Sequence, residues 1–207
     1  MAIMYFCAIL IINDHALAHY FGSASQIKRI ITTISREGNN MNSHKINMKI
    51  NGREYTLVSG RDFEVTETLS EVLRERLGFT GVRVSCNQGA CGACTVLLNG
   101  RSVLSCMMLA VEADGCEITT IEGLPADDPV ILAFANETDP GYGTAMQCGF
   151  CTPGFVMETK SLLSENPHPT REEIREGLSG HVCRCGVYQG IEHAVEKVSK
   201  EISEEGK

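Results

Sequence analysis

The chain has 207 residues, a formal net charge of −8 and ten cysteines. A negative chain lacks the basic face that nucleic-acid phosphates require, so nucleic acid is not expected as a partner. The length allows one large domain or two small ones, each with a core of its own. Eight of the ten cysteines fall into two closely spaced groups, which favours metal ligation over disulfide bonds between distant loops.

Residues 1–44 form the first predicted segment and differ in character from the rest. The apolar run AIMYFCAILII at 2–12 is too short to cross a bilayer as a helix. The ALA motif at 16–18 resembles a signal-peptidase site, but the positively charged region that precedes such sites is missing. We interpret the segment as an extension from a non-native start, with Met41 or Met48 as the natural one. A disordered tail and a signal peptide are the alternatives, and the expected location is cytoplasmic, with no membrane association.

Residues 45–122 predict a small α+β domain. Asn-Gly at 51–52 and again at 99–100 separates two runs of alternating apolar and polar residues, which predicts two hairpins with two-residue loops. The segment CEITTIEGL at 116–124 predicts one more strand, which closes the sheet.

A helix is predicted between the first hairpin and the cysteine-rich loop. The segment TLSEVLRERLG at 68–78 places four apolar residues on one helical face. Thr68 and Glu71 have the spacing of a capping box at its start, and Gly78 can end it.

The first cysteine group predicts a metal cluster. Cys86, Cys91 and Cys94 have the spacing Cys-x4-Cys-x2-Cys, which is that of plant-type [2Fe–2S] ferredoxins and needs a more distant fourth cysteine. The second predicted hairpin brings Cys106 back to the neighbourhood of Cys94. A zinc site is the alternative, but zinc usually takes pairs of closely spaced ligands.

Residues 123–207 predict a compact four-helix bundle. This prediction rests on three features: proline near a first turn, a second capping box, and apolar stripes at helical spacing. The four segments are DPVILAFANET at 128–138, CTPGFVMETKSLLSE at 151–165 with Thr152 as candidate N-cap, TREEIREGL at 170–178 and QGIEHAVEKVSKEI at 189–202.

The second cysteine group falls within this helical region. Cys148 and Cys151 lie at or just before one predicted helix start, and Cys183 and Cys185 lie just before another. Helix N-termini present free N–H groups and a positive dipole end, which suits an anionic cluster. The spacing alone also allows a zinc site with four cysteine ligands.

Four segments together carry a resemblance to a known family. They resemble the small iron–sulfur subunit of the xanthine oxidase family of molybdenum hydroxylases, over about residues 45 to 200. The resemblance implies a plant-type ferredoxin-like (β-grasp) domain followed by a helical domain, with a second [2Fe–2S] cluster in the latter rather than zinc. The segments are CNQGACGACTV at 86–96, LSCMMLAVEADG at 104–115, QCGFCTPG at 147–154 and CRC at 183–185.

The resemblance also implies partners and their cofactors. A large subunit carries molybdopterin, for which the cytosine dinucleotide form is one option, and a medium subunit carries FAD, in a dimer of heterotrimers. Gln147 and Cys185 match positions that contact the pterin. The sequence departs from the family pattern at GVY, residues 186–188, and at Gly190. Cys116 matches no ligand position and is interpreted as a small apolar strand residue.

The predicted function is electron transfer within a molybdopterin-dependent hydroxylase or dehydrogenase. Electrons would pass from molybdenum through the two clusters to FAD or another acceptor, while substrate turnover takes place on a partner chain. No catalytic residue is expected in this chain, and His168 and His181 are expected to be solvated or structural. A free-standing two-cluster ferredoxin-type carrier and a structural zinc protein are the alternatives.

Overall fold

Five strands form a mixed sheet in the first half of the described chain, and four helices follow in the second half. The structure, a computed structural model, describes residues 43–205. The predicted extension therefore lies outside the described residues except for Ser43 and His44. The sheet has the order β2-β1-β5-β3-β4, with β1 Lys45–Ile50, β2 Arg53–Val58, β3 Thr95–Leu98, β4 Arg101–Leu104 and β5 Glu117–Thr119.

Both predicted hairpins are present, and their register is set by the Asn-Gly loops. Asn99 and Gly100 both have positive φ, 51° and 85°, as a two-residue hairpin loop of this type requires. Leu98 pairs with Arg101, and Thr95 pairs with Leu104. This register is the predicted one, and it brings the chain after β4 back beside the residues that precede β3.

The last strand of the sheet, β5, lies between the two hairpins. It pairs parallel with β1 and antiparallel with β3. The strand ends at Thr119, well before the predicted end at residue 124, because the chain turns into a 3₁₀ helix over Ile121–Gly123. The pairing of β5 with both neighbours joins the two hairpins into one sheet.

The helix that follows the first hairpin has an unusual second turn. It begins as α1 over Leu69–Glu71 and continues as a π-helix over Val72–Arg76. Leu77 N–H accordingly donates to the Val72 carbonyl, five residues back, at 3.1 Å. The predicted Thr68–Glu71 capping box is present, and the helix packs its apolar face into the core under the sheet.

The second half consists of helices at the four predicted places, together with a short hairpin that the sequence did not indicate. The N-cap of the second of them is Cys151, one residue earlier than the predicted Thr152. No helix in the part of the chain that the structure describes is both long and apolar enough to cross a membrane. The elements are α2 Pro129–Asn136, β6 Thr138–Asp139, β7 Gly143–Thr144, α3 Thr152–Glu165, α4 Arg171–Gly177 and α5 Tyr188–Glu205.

The buried apolar side chains form two clusters, and α3 joins the halves that contain them. One cluster lies under the sheet and the other lies among the helices. The backbone N–H of Ser102, in β4, donates to Ser161 Oγ at 3.1 Å, and the Ser102 hydroxyl donates to Glu158 Oε1 at 3.1 Å. The described chain is therefore an α+β structure in which the sheet and the helices are in direct polar contact.

Candidate metal centres

The first cysteine set combines one loop with the return strand of a hairpin. Cys86 and Cys91 lie on the loop, Cys94 directly precedes β3, and Cys106 lies in a 3₁₀ turn that directly follows β4. Because the hairpin register returns the chain to the start of β3, Cys106 lies beside Cys94, as predicted. Cys94 and Cys106 are buried, whereas Cys86 and Cys91 are half-buried. We call the buried two the inner pair and the other two the outer pair.

The thiols of this set contact one another within these pairs. Burial raises the pKa of the inner Cys94 thiol to about 11, and the neighbouring Cys106 adds to the effect. In the outer pair, the N–H of Gln88 lowers the pKa of Cys86 to about 7, and Ala90 N–H donates to the same sulfur at 3.3 Å. Cys86 also has a thiol contact with Cys91. The thiolate is the form that binds metal, so the outer pair lies in a loop whose N–H groups favour that form.

The second cysteine set is built from two segments that are distant in the sequence. Cys151 caps α3 and contacts the buried Cys183, while the exposed Cys148 contacts Cys185 in the turn before α5. Burial raises the pKa of Cys151 to about 12, and the neighbouring Cys183 thiol adds to this. We call Cys151 and Cys183 the inner pair of this set, although only Cys183 is buried and Cys151 is half-buried, and we call Cys148 and Cys185 its outer pair.

Backbone N–H groups in the turn just before α5 point toward Cys183. Burial alone would raise the pKa of this thiol, but hydrogen bonds from the N–H groups of Val187, Cys185 and Gly186 lower it overall. The N–H of Cys183 itself donates to the Tyr188 hydroxyl at 2.7 Å, which holds this turn against the first residue of α5. The prediction that Cys183 and Cys185 lie just before a helix start is confirmed.

The division into pairs fits a two-iron cluster better than a single metal ion. In a [2Fe–2S] cluster with four cysteine ligands, each iron is held by two thiolates. A structural zinc ion instead needs four donors around one point. The donor type, the pairing and the N–H groups directed at sulfur all suit a cluster at both places.

Two further residues of interest, Cys116 and the predicted pterin contact Gln147, lie outside the two cysteine sets. Cys116 is half-buried one residue before β5, with its sulfur 3.8 Å from the Asp114 carbonyl oxygen, and it belongs to neither set. Gln147 is exposed in the loop that carries Cys148, between the exposed apolar side chains of Met146 and Phe150.

His181 lies close to both cysteine sets, and the sequence did not indicate this position. The alternative of a solvated side chain is wrong, because only 6% of His181 is exposed. Its Nε2 lies 2.9 Å from Thr95 Oγ1, next to Cys94, and burial lowers its pKa to about 4. The one signal in the sequence was its place two residues before Cys183.

Comparison with known proteins places the chain in a family. Residues 36–131 match the family described as a 2Fe-2S iron-sulfur cluster binding domain, and residues 120–196 match the [2Fe-2S] binding domain family. The chain is 43% identical over 153 residues to the nicotine 6-hydroxylase small subunit of Paenarthrobacter nicotinovorans, covering 73% of this chain and 87% of that protein. It is also 43% identical over 155 residues to the nicotinate dehydrogenase small FeS subunit of Eubacterium barkeri, covering 75% of this chain and 94% of that one. The chain belongs to the xanthine oxidase family of molybdenum hydroxylases, as a small iron–sulfur subunit.

Solved relatives of this small iron–sulfur subunit occur both as separate chains and within longer ones. The crystal structure of quinoline 2-oxidoreductase from Pseudomonas putida 86 matches with a TM-score of 0.69 at 38% identity, covering 79% of this chain and 98% of that chain. Aldehyde oxidoreductase from Desulfovibrio gigas matches with a TM-score of 0.68 at 37% identity, but the match covers only 17% of that longer chain. The predicted family membership is confirmed.

Proposed function

We propose that this small iron–sulfur subunit relays electrons within a molybdenum hydroxylase or dehydrogenase. Electrons enter from a molybdopterin-bearing large subunit and leave to FAD on a medium subunit or to another acceptor. The observation that carries the proposal is the presence of two four-cysteine sets, each divided into an inner and an outer pair, on loops that touch one another. A carrier of this kind needs no acid–base or nucleophilic residue of its own.

The cysteines take the following roles in the proposal. The first [2Fe–2S] cluster is held by Cys86, Cys91, Cys94 and Cys106, and the second by Cys148, Cys151, Cys183 and Cys185. The second set faces the large subunit, where Gln147 and Cys185 contact the pterin. The exposure of Gln147 and of its apolar neighbours Met146 and Phe150 supports this orientation, because it leaves the loop open to a partner surface.

The chain's own residues tune and shield the two sites. When bound, a [2Fe–2S] cluster takes up and gives up single electrons at a potential that its surroundings set. N–H groups directed at Cys86 and Cys183 favour the more negative, reduced state. The buried thiols Cys94, Cys106 and Cys183 keep water from one side of each site, while the outer pairs lie toward the surface through which electrons arrive or leave.

The assembly and domain arrangement form the finer part of the proposal. Residues 45–122 form the plant-type ferredoxin-like (β-grasp) domain, and residues 123–207 form the helical cluster-binding domain. The complex is a dimer of heterotrimers whose large subunit holds molybdopterin, with the cytosine dinucleotide form as the first candidate. We place it in the cytoplasm, because thiols that must stay free to bind iron persist in a reducing compartment.

Copurification and metal analysis test the proposal. The full chain, tagged and expressed together with large and medium subunits from the same source, is expected to purify with both and to carry about four irons, two for each cluster. Partial reduction should give two distinguishable EPR signals. A chain that purifies alone with both clusters would instead indicate the free-standing carrier, and stoichiometric zinc without a reducible cluster would contradict both functions.

A further inference from the structure

The loops that carry the two cysteine sets meet directly. On one side lie residues 91–95, which link two ligands of the first set. On the other side lie Gly154, His181 and Val182, each close to a ligand of the second set. We call this line of contact the inter-loop seam. At its centre the N–H of Val182 donates to the carbonyl oxygen of Cys91 at 3.0 Å.

His181 forms the second contact of the seam. Its Nε2 lies 2.9 Å from Thr95 Oγ1, and the Thr95 hydroxyl donates to the Gly92 carbonyl at 2.7 Å. Because the hydroxyl proton is directed to Gly92, the imidazole N–H is the donor to Thr95. The ring also lies against Gly92, where an added Cβ would overlap it, and against Phe155, with ring centroids 5.1 Å apart. Its buried ring therefore fixes the first loop against α3.

Gly154 forms the third contact. A Cβ added at this position, in the first turn of α3, would overlap the Gly92 carbonyl oxygen and crowd Ala93 Cα. Both neighbours are backbone, so neither can rotate away. Alanine is favoured over glycine in a helix by about 1 kcal/mol, so glycine is not here for helix stability. Its absent side chain instead lets the start of α3, with Cys151, approach the first loop at backbone distance.

We propose that the inter-loop seam sets the electronic coupling between the two clusters, with Gly154 and His181 as positioning residues. This inference rests on the proposed function. The route from Cys91 to Cys183 crosses a single hydrogen bond, from Val182 N–H to the Cys91 carbonyl, and is otherwise covalent. With both clusters bound, this path would carry a single electron between them, so that the acceptor would gain the one electron that the donor loses. No bond is made or broken, and the substrate oxidised on the large subunit supplies the electron.

The test measures the magnetic interaction between the two reduced clusters in the purified complex. In the fully reduced wild type, a spin–spin splitting is expected at low temperature, since each reduced cluster is paramagnetic and the interaction falls steeply with distance. Gly154→Ala and His181→Ala are expected to keep both individual EPR signals but to lose or narrow the splitting. Gly177→Ala is the matched control, because this helical glycine faces only the flexible tip of Leu162, and its splitting should equal that of the wild type.

The outcomes separate this inference from the proposed function. Fewer than two clusters in the wild type would contradict the proposed function itself. Two clusters without any splitting in the wild type, or an unchanged splitting in Gly154→Ala or His181→Ala with iron retained, would overturn the role of the seam. A purely structural role would lower the melting temperature of these variants and leave the splitting as it is. Should one variant fail to retain iron, the other variant and the wild-type splitting still decide the question.

Discussion

The two halves of the molecule each bring four cysteines together, but by different means. In the first half, three of the cysteines lie on one loop, and hairpin register returns the fourth, Cys106, to its inner partner Cys94. In the second half, Cys148 and Cys151 are separated from Cys183 and Cys185 by two helices, so packing alone brings the pairs together. Each set nonetheless consists of two thiol pairs, and the inner pair contains the buried thiols: both Cys94 and Cys106 in the first set, and Cys183 in the second. The first set depends on local register and the second on tertiary packing, so perturbations should distinguish them.

Removing one ligand from either set should have the largest effect. Cys106→Ser and Cys151→Ser are each expected to lower the iron content from about four to about two per chain, because each cluster needs its own four thiolates. Iron analysis and EPR of the purified complex measure this, and each variant should lose a different signal. Cys116→Ser is the control and should keep all iron, since Cys116 contacts neither set. Loss of both clusters in either variant would mean that the sets are not independent.

Truncating a core aromatic should reveal the dependence on packing. Phe134 in α2 and Phe63 in the first half are both almost fully buried. Each Phe→Ala change is expected to cost about 3–5 kcal/mol of stability through lost contacts and the cavity left behind. Urea unfolding followed by circular dichroism and by cluster absorbance should show that Phe134→Ala releases the second cluster before the first. The same order of release in Phe63→Ala would remove the distinction between the halves.

Helix caps should have a smaller effect, similar in the two halves. Thr68 caps α1 and Thr170 caps α4, each in a reciprocal box with the glutamate three residues on. Thr68→Ala and Thr170→Ala are each expected to cost about 1 kcal/mol, because an N–H at the helix start loses its acceptor. The urea midpoint measures this cost. Iron content should stay at the wild-type value, and iron loss in Thr170→Ala would show that α4 supports the second set directly.

The contact between Ser102 and Glu158, which joins the two halves, should make the stability of the protein depend slightly on pH. Burial raises the pKa of Glu158, whose carboxylate accepts a hydrogen bond from Ser102. The folded state therefore binds this proton more tightly than the unfolded state, and the protein loses stability as pH rises from the unfolded toward the folded pKa. The glutamine in Glu158→Gln cannot ionise. As pH rises from the unfolded toward the folded pKa of Glu158, the urea midpoint of this variant should therefore increase relative to that of the wild type.

A carboxylate outside this contact provides the comparison for the pH experiment. Glu201→Gln changes an exposed residue of α5, so its urea midpoint should follow that of the wild type at each pH. If the urea midpoints of Glu158→Gln and of the wild type changed in parallel with pH, the pKa of Glu158 would not be raised by folding.

Short-range features of the fold were predictable from the sequence, because neighbouring residues determine them. Asn99-Gly100 fixed the hairpin register and so the return of Cys106, and the Thr68 and Thr170 capping boxes marked two helix starts. The family resemblance further indicated the two cysteine sets, and their role as ligands stays a prediction. The division of the sets into inner and outer pairs could not be predicted, because it depends on which thiols become buried.

Long-range features were not predictable, because they arise from packing. The insertion of β5 between β1 and β3 joins strands that are distant in the sequence. The seam contact of His181 likewise joins it to Thr95, 86 residues away. No local pattern marks either feature. The N-cap at Cys151 differed by one residue from the predicted Thr152, because a cysteine is not a usual cap residue.

The inter-loop seam has a consequence for the order in which the protein matures. Synthesis proceeds from the N-terminus, so Cys86 to Cys106 leave the ribosome long before the residues that brace their loop. The N–H that holds the Cys91 carbonyl belongs to Val182, and the ring that covers Gly92 belongs to His181. By the time both residues have been made, Cys183 follows immediately. The loop that carries Cys91 therefore gains its full support only when the second cysteine set is also nearly complete.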